Sequence, residues 1–190
     1  MRYLTCHIRA LFLTCLPLLA FCATNESARI ELRCDAQVVR IAPGAGEQAS
    51  SGSYDVRLYD CINSNDLVFA DGLVLPRDGI VTKAWFADLN NDGQVEIAVW
   101  VASSGAGAQG QLDILVLSDR VLQKVEMPEL TKAWLRGYKG HDTYHVEKGV
   151  IYRVFPLYKG DAAEGQPTGA RTLKLIYEND RWMWRLHAVK

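Results

Sequence analysis

The side chains best arranged for chemistry lie in one short segment rich in oxygen atoms. Oxygen side chains at alternate loop positions can converge on one cation, and a glycine at the sixth position permits the sharp turn of a calcium loop. The segment follows this pattern with Asp88, Asn90, Asp92 and Glu96, but Val99 stands where an EF-hand has its bidentate glutamate. We interpret it as a hairpin turn whose side chains accept hydrogen bonds from backbone N–H groups. The alternative is a calcium site on the same four residues.

Other patterns that could support catalysis are incomplete. His141 and His145 are four residues apart, but no acidic third ligand completes a zinc pattern. Ser103 and Ser104 lack the strand–Gly-x-Ser-x-Gly–helix context that presents a nucleophile. Since no nucleophile, base and orienting group can be named together, we predict that the protein is not an enzyme. A hydrolase with an unrecognised site is the alternative.

The start of the chain has the features of an export signal. A short segment with two arginines precedes the apolar run 11–22, which is too short to span a bilayer. We predict that residues 1–22 are cleaved and that residues 23–190 form a single domain in the periplasm, without a membrane span. A lipid anchor at Cys22 is the alternative.

Charge and cysteine content fit an exported protein. The chain carries 21 basic and 22 acidic residues, and the signal contains two of the arginines and no acid. The mildly acidic mature part disfavours binding to nucleic acid. Cys34 and Cys61 are the two cysteines beyond the signal. We expect them to form one disulfide between strands that flank the loop 43–53, which would stabilise the fold by roughly 3–4 kcal/mol.

Alternation of apolar and polar residues predicts strands along most of the chain. Residues 95–101 and 172–177 have the period of two that a strand requires, and Asn-, Asp- and Gly-rich turns separate similar segments. This pattern predicts an all-β fold, an antiparallel β-sandwich of about eight to ten strands. Only residues 127–135 are predicted to be briefly helical, and residues 160–169 are predicted to be a loop tip.

Several segments in the middle of the chain resemble one known family. The order runs from SYDVRLY (53–59) through LPRDG (75–79), FADLNNDG (86–93) and EIAV (96–99) to the Gly-rich segment 103–110. This order is similar to that of the periplasmic inhibitors of i-type lysozyme. The resemblance implies a β-sandwich, often a homodimer, whose protein partner is lysozyme and which performs no catalysis. A stiff loop between two strands would enter the lysozyme cleft and offer hydrogen-bond donors to its two catalytic carboxylates.

The resemblance also indicates which loop would inhibit. The corresponding residues are Ser103, Ser104, Gly105, Ala106, Gly107, Ala108 and Gln109. The family carries a Ser-Gly-x-Tyr motif there, so Ala106 replaces its Ser and Gln109 its Tyr, although Ser104-Gly105 could serve in a shifted register. A lysozyme of another type is therefore an alternative partner. A periplasmic binding module of unknown ligand, stabilised by calcium at Asp88, Asn90, Asp92 and Glu96, is the alternative function.

Overall fold

Twelve β-strands make up the regular structure in the computed structural model. It describes residues 29–34, 36–48, 50–63, 66–103, 110–118, 120–159, 166–178 and 183–188, and for Cys34 and residues 178–190 it does not describe the side chains. Within these ranges the strands form three four-stranded antiparallel sheets. In this part of the chain no helix is long and apolar enough to cross a membrane.

Each sheet is built from four consecutive strands. The first sheet contains β1 (Ile30–Cys34), β2 (Gln37–Pro43), β3 (Gly52–Cys61) and β4 (Leu67–Arg77). The second contains β5 (Ile80–Ala87), β6 (Glu96–Ala102), β7 (Gln111–Ser118) and β8 (Val121–Val125). The third contains β9 (Thr143–Glu147), β10 (Val150–Leu157), β11 (Gly169–Glu178) and β12 (Met183–Ala188). Within each sheet every strand pairs with its neighbours in the sequence, so each sheet is an antiparallel meander.

The second sheet lies between the other two and is buried on both faces. Successive residues of a strand point to opposite faces, and in β6 and β7 both sets are apolar or fully covered. The apolar cluster between the first and second sheets includes Val56, Leu58, Val99 and Leu115. The cluster between the second and third sheets includes Ala98, Ile114, Ile151 and Leu175. The fold is therefore a stack of three sheets in which the second sheet packs against both of the others.

The predicted all-β, antiparallel sandwich is confirmed, with twelve strands in the described residues in place of eight to ten. A turn at Ala36 separates β1 from β2, and His145 lies on a strand, β9. The predicted helix over residues 127–135 is wrong. The segment instead forms a series of turns, in which the carbonyl of Thr131 accepts hydrogen bonds from the N–H groups of Trp134 and Leu135.

The predicted disulfide between Cys34 and Cys61 stays a prediction, because the side chain of Cys34 lies outside what the structure describes. β2 and β3 do flank the loop that begins after Pro43, as expected. However, Cys61 is half-buried, and Cys34 ends β1 opposite Gln37. Cys34 and Cys61 therefore lie on strands separated by β2, and the N–H of Cys61 donates to the carbonyl of Ala36 at 2.6 Å. The two residues do not face each other across the β2–β3 loop.

Because the second sheet is shared, both apolar clusters should contribute to one unfolding transition. We expect Leu58→Ala and Ile151→Ala, each of which truncates a fully buried side chain, to lower the free energy of unfolding by about 2–5 kcal/mol. Val74→Ala, at a side chain that is 64% exposed, should change it by less than about 0.5 kcal/mol. Urea denaturation measures all three. An Ile151→Ala variant that unfolds like the unmodified protein would show that the third sheet does not share the transition.

Candidate functional site

The segment predicted to inhibit lysozyme joins the two central strands of the second sheet. β6 ends at Ala102 and β7 begins at Gln111, and the two strands pair antiparallel. Of the predicted inhibitory residues, Ser103 is described and is half-buried, whereas Ser104–Gln109 lie outside the described residues. The site is therefore characterised by the two stems that hold this segment.

The upstream stem is packed against the turn between β4 and β5. Gly79, in this turn, has a φ of 145°, and a Cβ there would lie 2.8 Å from the carbonyl carbon of Ala102 and 2.9 Å from Cα of Ser103. Only glycine leaves room for this approach and adopts this conformation without strain. The close contact fixes the point at which the chain leaves β6.

A buried arginine holds the same turn from the other side. Arg77 is 4% exposed. Its Nε donates to the carbonyl of Ser53 at 2.8 Å, Nη1 to that of Gly79 at 2.6 Å, and Nη2 to that of Gln48 at 2.8 Å. These bonds satisfy a charge that would be costly to bury alone. The guanidinium thus joins the β2–β3 loop, the start of β3 and the turn beside the upstream stem.

The downstream stem is held by side-chain contacts of two kinds. The indole of Trp100 fills the space next to Gly110, where a Cβ would lie 2.6 Å from Cζ2 of that ring. The next residue, Gln111, donates from Nε2 to the carbonyl of Pro76 at 3.2 Å and to Asp113 at 2.6 Å. The upstream end of the segment is therefore packed on the turn that follows β4, and the downstream end is bonded to the last residues of β4 itself.

Asp113 is the carboxylate on which these polar contacts converge. It is 2% exposed, accepts a hydrogen bond from the hydroxyl of Tyr54 at 2.6 Å, and pairs with Nζ of Lys124 at 2.9 Å. Burial, together with the adjacent Asp113 charge, raises the pKa of Tyr54, so its phenol stays protonated and donates. Both carboxylate oxygens are engaged, Oδ2 with Tyr54 and Gln111 and Oδ1 with Lys124.

A cleft of about 350 Å³ opens beside the downstream stem, between the second and third sheets. Its lining combines backbone at Gly110 with charged side chains of both signs: Asp78, Lys124, Glu126 and Arg153. Charged side chains of this kind are typical of the polar rim of a protein-binding surface.

The candidate calcium residues form a hydrogen-bonded turn. Asp88 accepts the N–H groups of Asp92 at 3.2 Å and Gly93 at 3.0 Å. Asp92 accepts the N–H of Gln94 at 2.8 Å and an amide N–H of Asn90 at 2.8 Å. This is the turn chemistry expected when Asp and Asn cap a hairpin.

Glu96 closes the turn from the start of β6. It is 5% exposed and accepts the N–H of Leu89 at 2.8 Å, while the Leu89 side chain is buried between the second and third sheets. Burial, with the charges of Asp92 and Asp88, raises the pKa of Glu96. Within the described ranges no group of three or more His, Cys, Asp or Glu side chains is placed to hold a metal. The calcium site stays a prediction.

The two histidines do not come together as a site. His145 lies on β9 and stacks on Tyr152, with ring centroids 4.9 Å apart, and His141 precedes the strand with a φ of 61°. Next to them is a polar cluster that the sequence did not suggest. Arg153 donates from Nε to the buried Asp142 at 2.6 Å, and the hydroxyl of Tyr138 donates to the same carboxylate at 2.5 Å.

The part of the chain that contains both stems matches a known protein family. Residues 25–133 match the family described as periplasmic lysozyme inhibitor of I-type lysozyme. This range is more than half of the chain and contains all of the first and second sheets. β9–β12, the third sheet, begin after the matched range. No curated protein matches the chain.

Two solved structures are similar to the chain. The crystal structure of the Aeromonas hydrophila periplasmic lysozyme inhibitor of I-type lysozyme is 40% identical, with 52% of this chain and 86% of that chain covered and a TM-score of 0.48. The same Aeromonas inhibitor in complex with Meretrix lusoria lysozyme is 44% identical, with 47% and 73% covered and a TM-score of 0.43. On the family match across its first two sheets, the chain belongs to the family of periplasmic inhibitors of I-type lysozyme.

Proposed function

We propose that this protein inhibits an i-type lysozyme in the periplasm and that the Ser103–Gln109 segment enters the active-site cleft of the enzyme. The observation that carries the proposal is the family match over residues 25–133, because it includes both strands that hold this segment. The Aeromonas inhibitor, a member of the same family, has been crystallised in complex with a lysozyme. The family consists of inhibitors, and inhibition of this kind needs no catalysis by the inhibitor.

The geometry of the stems supports an insertion mechanism. Arg77 and Gly79 fix the chain where it leaves β6, and Trp100 and Gln111 fix it where it enters β7. Stems that are already ordered before binding reduce the conformational entropy lost in the complex. A short insertion held in this way can bind tightly although its contact area is small.

The composition of the segment is suited to a site that contains carboxylates. The hydroxyls of Ser103 and Ser104 and backbone N–H groups can donate to the two catalytic carboxylates of a lysozyme. Gly105 and Gly107 allow the backbone to approach the cleft closely. Since Ala106 and Gln109 replace the Ser and Tyr of the family motif, we expect Ser104 to supply the hydroxyl.

Export places the protein where a lysozyme would be met. We propose that residues 1–22 are removed as a signal peptide and that residues 23–190 are the mature inhibitor; lipidation at Cys22 would instead hold it at the membrane surface. A homodimer stays a prediction of the resemblance.

Titration of purified lysozymes with mature protein tests the function directly. We expect stoichiometric loss of muramidase activity for an i-type lysozyme, because the family match covers the whole two-sheet scaffold, and no comparable loss for c- or g-type enzymes. Residual lysis of peptidoglycan is the readout. Inhibition of a c- or g-type enzyme alone would move the target to another lysozyme, and activity of all three types at excess protein would reject the inhibitor function.

Substitution within the loop tests the insertion mechanism separately. Gly107→Trp should reduce inhibition at least about tenfold, since a bulky side chain prevents close approach of the backbone to the cleft. Gly169→Trp is the matched control, because residue 169 is exposed and a Cβ there would meet nothing within 4 Å. Equal inhibition by both folded variants would exclude this segment from the contact.

Thermal melting with and without calcium separates inhibition from the calcium-stabilised module. We expect the same melting temperature in millimolar calcium and in EDTA, because the oxygens of Asp88 and Asp92 already accept backbone N–H groups. A ligand that binds only the folded state raises the melting temperature. A calcium-dependent rise that is lost in Asp92→Asn would contradict this expectation and support the binding module.

A further inference from the structure

The indole of Trp100 determines how the backbone can lie at the downstream stem. Besides Cζ2, its Cζ3 atom would lie 2.8 Å from a Cβ at residue 110. Cβ atoms do not approach other carbons this closely, so the glycine backbone packs directly against the six-membered ring of the indole. A change in the position of the indole would therefore remove the support of the residue that immediately follows Gln109.

Trp100 is in turn supported by the third sheet. Its ring lies against the ring of Tyr144 on β9, with centroids 5.2 Å apart and planes tilted by 55°. Aromatic pairs at this separation attract each other beyond the simple burial of their surfaces. The indole thus contacts both Gly110 and a side chain from β9.

Tyr144 is itself held in place by a charged cluster. Arg153 pairs with Tyr144 across β9 and β10, and its guanidinium carbon lies 5.6 Å from the centre of the tyrosine ring. The guanidinium is oriented by Asp142, whose side chain is fully buried, through the 2.6 Å bond from Nε. A cation oriented over an aromatic face in a partly desolvated site stabilises the arrangement. Burial raises the pKa of Tyr144, so its phenol carries no charge toward Asp142.

We propose that the third sheet positions the inhibitory segment through Tyr144 and Trp100, so that Tyr144 is a positioning residue for lysozyme binding. The inference rests on the proposed function. The family match ends at residue 133, before β9 begins, so this support belongs to the part of the chain beyond the matched range. A contact that orders one stem before binding lowers the conformational entropy lost in the complex. It does not change the surface that contacts lysozyme.

Substitution of Tyr144 is the test. Tyr144→Ala should weaken inhibition of an i-type lysozyme at least about tenfold, whereas Tyr144→Phe, which keeps the ring, should inhibit like the unmodified protein. Tyr152→Ala is the matched control, because Tyr152 pairs with His145 in the same two strands and stacks on that exposed side chain. If Tyr144→Ala does not fold, Tyr144→Leu removes the aromatic contact while keeping apolar volume.

Hydrogen exchange of the free protein gives a readout that needs no lysozyme. We expect the amides of residues 103–111 to exchange at least about tenfold faster in Tyr144→Ala than in the unmodified protein or in Tyr152→Ala. Amides of the buried residues Val56 and Leu58 report global opening, so the acceleration at residues 103–111 should exceed any acceleration at these two amides. Unchanged local exchange in folded Tyr144→Ala would by itself overturn the inference.

The two measurements separate failure of the inference from failure of the proposed function. If the unmodified protein inhibits no lysozyme, the function is rejected, and exchange at residues 103–111 still decides whether the third sheet supports the stem. If the unmodified protein inhibits and Tyr144→Ala inhibits equally well, the function stands and the positioning role is rejected.

Discussion

Burial of the second sheet on both faces is the constraint on which the rest of the structure depends. Side chains of β6 and β7 point alternately to the first and third sheets, and both sets are withdrawn from water. A sheet that is apolar on both faces is stable only when a layer covers each face. The two outer sheets therefore cover the second sheet, and the connection between β6 and β7 leaves from the layer that is buried on both faces.

Much of this fold follows from the sequence, because alternation is a local property. Val99 and Val101 on one face of β6 predicted a strand, and so did most of the other segments that proved to be strands. What covers the second face is a matter of distant contacts. Ala98 and Trp100 are apolar as well, but period-two alternation does not say that β9–β12 will pack on them. Similarly, the separation of β1 from β2 depends on a turn at Ala36 that carries no strong Gly or Pro signal.

The candidate site was predictable to a smaller extent, and for a related reason. The hydrogen bonds of the Asp88 turn were predictable, since they are made within seven residues along the chain. The stems depend on partners that are far apart in sequence, such as Tyr54 with Asp113 and Tyr144 with Trp100. One signal was available: Asp113 is a single carboxylate within the apolar strand β7, and such a residue needs buried partners. The sequence could not say which residues those would be.

The meander order of the strands has a consequence for how the chain folds. Because each sheet is made of four consecutive strands, it can form from local pairings, which keeps contact order low for an all-β protein. The third sheet, one of the two outer layers, is synthesised after the first and second sheets. Until β9–β12 are complete, the face of the second sheet that carries Ala98, Trp100 and Ile114 is an uncovered apolar surface. The nascent protein is therefore most exposed to aggregation in the interval between completion of its second and third sheets.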